Sequence, residues 1–264
     1  LRAHDPGTRL GARIESLHQM RVATRRLRAV FRAARPMFVP EWSASLESEL
    51  AWLSEFLGQA RDLDVQIAYF NEEAVRLDAR DRKPLAQFVA YLQTQRERLQ
   101  QVVLSELKSA RYFELIRRLQ QAAHDPSVVD TAVTLHALAK REFKKLRKAI
   151  RRMGPSPNHA ILHAIRIKAK RARYAAELAR WSVGKPAARF MQQARTVQDL
   201  LGNYQDSFTA ETYIRAFLKQ STSVRAGFVA GRMIERQRQR RETIQQNLNA
   251  RLKTLLKRGQ KAWG

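Results

Sequence analysis

His18, Arg21, Arg25 and Arg28 recur at intervals of three and four residues. On an α-helix that turns about 100° per residue they fall within an arc of about 80°, and Arg32 lies inside the same arc. One face carrying an imidazole and four guanidiniums is an array made almost wholly of donors. Its chemistry is anion binding, through charge-assisted hydrogen bonds that Arg can make two at a time. The array appears again as His163, Arg166, Lys170 and Arg173, with Glu177 at the position that corresponds to Arg32. A third stripe, less regular, is Lys140, Lys144, Arg147, Lys148 and Arg151, which spans about 100° of a helix. Arg141, Lys145 and Arg152 spread charge onto its other sides. The run Arg232–Arg241 is more scattered and reads as a solvated helix surface.

Like charges three and four apart destabilise a helix by a few tenths of a kcal/mol per pair, so folding alone does not call for them. A solvated basic face is the bland reading of one such stripe. Two matched stripes, each led by His and nearly without Glu, favour a binding role. Beside the first stripe, Met20, Thr24, Leu27 and Phe31 are placed to enter a core; beside the second, Ile165, Ala169, Ala172 and Ala176. His18 and His163 have no carboxylate or second His at ligand spacing on their face, so no metal role is read. Beside phosphate, an imidazole can donate from one ring nitrogen, or from both when protonated.

The matched stripes belong to an internal repeat. Leu57-Gly58-Gln59-Ala60-Arg61-Asp62 aligns with Leu201-Gly202-Asn203-Tyr204-Gln205-Asp206 at almost the offset that relates the stripes. Gly58 and Gly202 are expected to end helices, and Asp62 and Asp206 to cap the next ones. The alternative role for these carboxylates is to orient nearby Arg residues. Arg61 has Gln205 as its counterpart, so a symmetrical role for it is not expected.

The elements that must hold these residues are helical. Gly and Pro number 10 and 8, and apolar residues recur at three and four. Helices are predicted over 8–35, 41–57, 62–80, 84–108, 111–122, 129–153, 157–182, 186–201, 206–220 and 224–258. The segment His124-Asp125-Pro126-Ser127 divides the chain into an N-terminal repeat, 1–125, and a C-terminal repeat, 126–264. With 50 Lys plus Arg against 24 Asp plus Glu, the formal charge is +26, while 44% hydrophobic residues supply a core. Charge of that size repels itself in a compact fold, so solubility alone explains it poorly and a polyanionic partner explains it better. The absence of Cys excludes disulfides and thiolate metal sites. No run approaches membrane-spanning length, and the amino end has no apolar signal core.

With His18-Gln19-Met20-Arg21-Val22, Arg25-Arg26-Leu27-Arg28, Leu57-Gly58 and Arg61-Asp62-Leu63-Asp64-Val65, the sequence resembles the CHAD domain, the conserved histidine α-helical domain. The second half adds His163, Arg166, Lys170-Arg171, Arg173-Tyr174, Leu201-Gly202 and Asp206. The resemblance spans almost the whole chain, as a single domain over 1–264. It implies an all-α fold of two similar antiparallel four-helix bundles around a central basic cavity. It also implies binding of inorganic polyphosphate and association with polyphosphate granules in the cytoplasm.

Three function classes follow. The first is non-catalytic polyphosphate binding by His18, Arg21, Arg25, Arg28, Arg32, Lys140, Lys144, Arg147, Lys148, Arg151, His163, Arg166, Lys170 and Arg173, with other polyanions as further candidates. The second is sequence-nonspecific nucleic-acid binding, against which the stripes lack interleaved aromatics for stacking bases. The third is a phosphate-transfer enzyme, which needs acidic metal ligands and a positioned nucleophile. No Walker loop is present, and Glu47 and Glu49 are followed by Ala51 where the triphosphate-tunnel (CYTH) signature requires Lys. The reading therefore has no catalytic residue, cofactor, metal or membrane partner, and names no protein partner.

Overall fold

The computed structural model describes residues 1–11 and 14–264. Its helices are α1 (Asp5–Arg9), α2 (Ile14–Ala33), α3 (Pro40–Val75), α4 (Ala79–Lys108), α5 (Ala110–His124), α6 (Leu135–Arg151), α7 (His159–Leu178), α8 (Arg180–Val183), α9 (Lys185–Leu218) and α10 (Val224–Trp263). Short 3-10 turns lie at Arg2–His4 and Arg35–Met37, and no strand occurs among the described residues. The fold is all-α, as expected. Residues 12 and 13 of the helix predicted over 8–35 lie outside the described residues.

Several boundaries differ from the sequence reading. The pairs predicted at 41–57 with 62–80, and at 186–201 with 206–220, are the single helices α3 and α9. Gly58 and Gly202 are thus helix-interior residues, and Asp62 and Asp206 cap nothing. An interior Gly costs about 1 kcal/mol relative to Ala. The turns around Gly58 bury Leu57, Ala60 and Leu63, and those around Gly202 bury Val197, Leu201 and Tyr204, which outweighs that cost. Pro84 lies inside α4 rather than at its start, because Asp81 in the preceding turn is buried and anchored by two Arg residues of α10. Residues 129–134 lie outside any helix, and α6 begins only after Thr134, whose Oγ1 accepts from the Ala137 amide at 3.2 Å. Gly154 and Gly184 lie just beyond helix ends, and their φ values of 74° and 72° are ones that a Cβ disfavours.

Packing divides the chain into two compact units. The first contains Leu1–Arg25, Ser48–Asp125 and Asp206–Gln239. Its core gathers Leu63 and Phe70 of α3, Leu85, Phe88 and Leu92 of α4, Ile214 of α9 and Val229 and Met233 of α10. Phe70 meets Phe88 edge to face, centroids 4.8 Å apart. Ion pairs lock α10 to the other helices: Arg225 and Arg232 hold Asp81, and Arg236 holds Glu73. This corrects the reading of Arg232–Arg241 as merely solvated, since two of its Arg residues neutralise buried carboxylates.

The second unit contains Arg26–Glu47, Pro126–Gln205 and Arg240–Gly264. Phe143 of α6, Phe190 of α9 and Trp263 of α10 stack edge to face through its centre. A Cβ on Gly259 would lie 2.0 Å from the Phe143 ring, so only glycine lets α10 pass there. Ile165, Ala169, Ala172 and Ala176 of α7 are all buried, as expected from their spacing. Their small size admits α9, whose Gln198 Nε2 donates to the Ala169 carbonyl at 3.2 Å.

Candidate polyanion-binding site

The first stripe, continuous in sequence on α2, is shared between the units. His18, Arg21 and Arg25 belong to the first unit, Arg28 and Arg32 to the second. Met20, Thr24 and Phe31 are buried beside the stripe, and Leu27 is partly buried.

In the first unit the stripe faces α3. The Arg21 guanidinium passes beside Gly58, where a Cβ would lie at ordinary contact distance, 3.7 Å from Nε. Arg21 Nη2 donates to Asp62 Oδ1 at 3.2 Å. Asp62 therefore steers Arg21. This is the alternative weighed for Asp62. For Asp206 the structure gives a main-chain role, its carbonyl accepting from Gln66 Nε2 at 3.1 Å. His18 is half-buried, and its Nδ1 is shut from solvent with no protein partner. Burial lowers its pKa; the charges of Arg61, Arg25 and Arg21 also lower it, against a smaller pull upward from Glu15 than from burial and Arg61.

In the second unit the α7 stripe faces α9 in a matching way. A Cβ on Gly202 would lie 3.9 Å from Arg166 Nη2. His163 Nδ1 lies 3.1 Å from Gln205 Oε1, where the first copy has the Arg61 charge near His18. Arg173 Nε donates to Gln198 Oε1 at 3.1 Å, and its guanidinium covers the Tyr174 ring at 4.2 Å. The later part of α2 joins this group: Arg26 bonds Glu177 at 2.7 Å, and Glu177 lies 3.7 Å from Arg173. Arg28 has a lowered pKa, first through burial and then through the charges of Arg32 and Arg171, with Glu47 opposing. Its Nε is buried with no protein acceptor. Arg32 Nε donates to Glu47 Oε1 at 2.6 Å.

The third stripe looks elsewhere. Lys140 reaches the Gly264 carbonyl at 3.2 Å and Arg147 reaches Gln260 Oε1 at 2.9 Å, both at the end of α10. Lys144, Lys148 and Arg151 are exposed.

Sequence reasoning missed Arg26, Arg35 and Arg171 as neighbours of the stripes, and Glu47, Glu177, Gln198 and Gln205 as partners. Arg26 falls outside the arc, and Arg35 follows the helix end, so periodicity could not recruit them. Among the described residues, no three His, Asp or Glu side chains gather as a metal would require. No helix among them is long and apolar enough to cross a membrane.

The site thus has two His-led basic faces, with Arg21 beside Gly58 and Arg166 beside Gly202, on an all-α fold. The CHAD domain family model matches residues 1–215, and the chain belongs to that family. It is 30% identical, over 94% of its length, to the uncharacterized protein Rv2226 of Mycobacterium tuberculosis. A protein of another strain of that species matches at the same identity. The chain spans about half the length of these curated relatives, 49% of each. Among solved structures, the CHAD domain of the plant Ricinus communis superposes with a TM-score of 0.75 at 25% identity, covering 96% of this chain and 86% of that one. PptA from Streptomyces chartreusis gives the same TM-score at 17% identity, covering 96% of each chain, a likeness of fold.

Proposed function

We propose that this chain is a non-catalytic binder of inorganic polyphosphate in the cytoplasm, acting at polyphosphate granules. Its two sequence repeats, 1–125 and 126–264, each carry one His-led stripe. The observation that carries the reading is Arg28. Its Nε–H is buried without a protein acceptor, and its charge is opposed by burial and by Arg32 and Arg171. Such a donor costs free energy unless an anion accepts from it. A phosphate oxygen meets that need with a charge-assisted bond, and a chain of phosphates would also accept from the remaining N–H groups along His18, Arg21, Arg25, Arg28 and Arg32, and along His163, Arg166, Lys170 and Arg173. The α6 cations Lys140, Lys144, Arg147, Lys148 and Arg151, of which Lys144, Lys148 and Arg151 are exposed, add a further basic face for the same polymer.

Nucleic acid is the competing ligand. Recognition of single strands relies on aromatic faces open to bases. Tyr174 is buried with Arg173 over its ring, and Tyr204 is buried and stacked with His159, so neither ring is free for a base. The test is competition at matched phosphate concentration among polyphosphate, DNA, RNA and small phosphates. Polyphosphate is expected to displace both nucleic acids; displacement of polyphosphate by either would reverse the assignment.

A further inference from the structure

Glu47, on the second turn of α3, lies behind two guanidiniums. Its side chain is 8% exposed, while those of Arg32 and Arg35 in front of it are 38% and 55% exposed. Oε1 accepts from Arg32, and Oε2 accepts from Arg35. With one carboxylate oxygen each, both arginines keep N–H groups for another acceptor on the solvent side, because a guanidinium carries five. The turn that bears Arg35 is held firmly. Phe31, Phe38 and Trp42 pack as a ring trio with centroids 5.5–5.6 Å apart. The Val39 amide donates to the Ser127 carbonyl and the Val129 amide to the Met37 carbonyl, each at 3.0 Å. Arg28, one turn before Arg32, adds a third cation.

We propose that Arg32 and Arg35, aimed by Glu47, form a preorganised fork that captures a phosphate of the bound polymer, with Arg35 as an unrecognised binding residue and Glu47 as a positioning residue. The fork rests on the polyphosphate reading. It makes a prediction opposite in sign to net charge. Removing a carboxylate from a polyanion site would tighten binding if charge alone counted. Glu47, however, fixes where both guanidiniums point, and the loss of that order is expected to outweigh the charge gained. Glu47→Gln offers Arg35 or Arg32 an amide NH2 in place of an acceptor and frees two long side chains that binding must then immobilise.

The experiment is calorimetric titration of the whole chain with long-chain polyphosphate. Glu47→Gln is expected to weaken affinity about five- to tenfold while the stoichiometry of binding stays at the wild-type value. A purely structural role would instead lower the stoichiometry, as part of the protein failed to fold, and leave the affinity of the rest intact. Glu47→Asp should recover part of the loss. In an Arg32→Gln/Arg35→Gln background, Glu47→Gln should weaken nothing further. If Glu47→Gln does not fold, Arg35→Gln carries the test and must weaken binding more than Arg238→Gln. Affinity equal to or tighter than wild type in Glu47→Gln, or an Arg35→Gln variant no weaker than the Arg238→Gln control, overturns the fork. Wild-type protein that fails to bind polyphosphate overturns the parent reading instead.

Discussion

At the scale of single residues, the space between Gly58 and Arg21 admits a methyl group but not a large side chain. Gly58→Ala places a methyl at ordinary contact distance from Arg21, 3.7 Å from Nε, and removes the helix cost of glycine. It should raise thermal stability by about 0.5–1 kcal/mol and leave polyphosphate affinity nearly unchanged. Gly58→Leu should push Arg21 aside and weaken binding, which a direct comparison of the two variants by titration checks. His18 gives a second expectation. Its folded pKa lies below the ordinary 6.5, first through burial and then through Arg61. Between those two values the unfolded chain binds more protons than the folded one, so stability is lost as pH falls through that window. The melting temperature of the free protein should therefore fall as pH drops through about 6.5, and His18→Gln should flatten the fall. The spacing of His18 gave its place on the stripe. It gave no sign of the shift, because the Arg61 that contributes to it lies on α3.

At the scale of elements, helix content and the faces of α2 and α7 were legible because apolar periodicity is local. The continuity of α3 and α9 was not. Gly58 with Asp62, and Gly202 with Asp206, have the spacing of a stop and a start. What overrides it is the burial of Leu57, Leu63 and Leu201 against other helices, a property of packing that no local window contains. The scattered cations of α10 were likewise misread, since Asp81 and Glu73, their partners, are far away in sequence. Replacing Arg225 and Arg232 together with Gln leaves the Asp81 carboxylate buried without its charge partners. Stability should fall by about 3 kcal/mol in chemical denaturation, with little effect on polyphosphate affinity. An unchanged midpoint would mean that these pairs do not tie α10 to α4.

At the scale of the whole molecule, a formal charge of +26 makes the polyanion a stabiliser of the fold. Polyphosphate at a hundred times its dissociation constant should contribute about 2.7 kcal/mol, read as a rise in Tm, with affinity falling steeply as salt rises. Two stripes on one chain also predict a dependence on polymer length. Long polyphosphate can touch both, and the second contact is then intramolecular, so triphosphate should bind far more weakly per phosphate unit. Total charge alone would produce the melting shift and the salt dependence, so the deciding measurement must hold it constant. That measurement is titration with long-chain polyphosphate of two charge-matched triple variants, Arg21→Gln/Arg25→Gln/Arg28→Gln and Arg238→Gln/Lys253→Gln/Lys257→Gln. The stripe variant should lose on the order of a hundredfold in affinity, as three charge-assisted contacts at about 1 kcal/mol each imply, while the control loses only a few-fold. Equal losses in the two variants would contradict the stripes and leave only a diffuse basic surface.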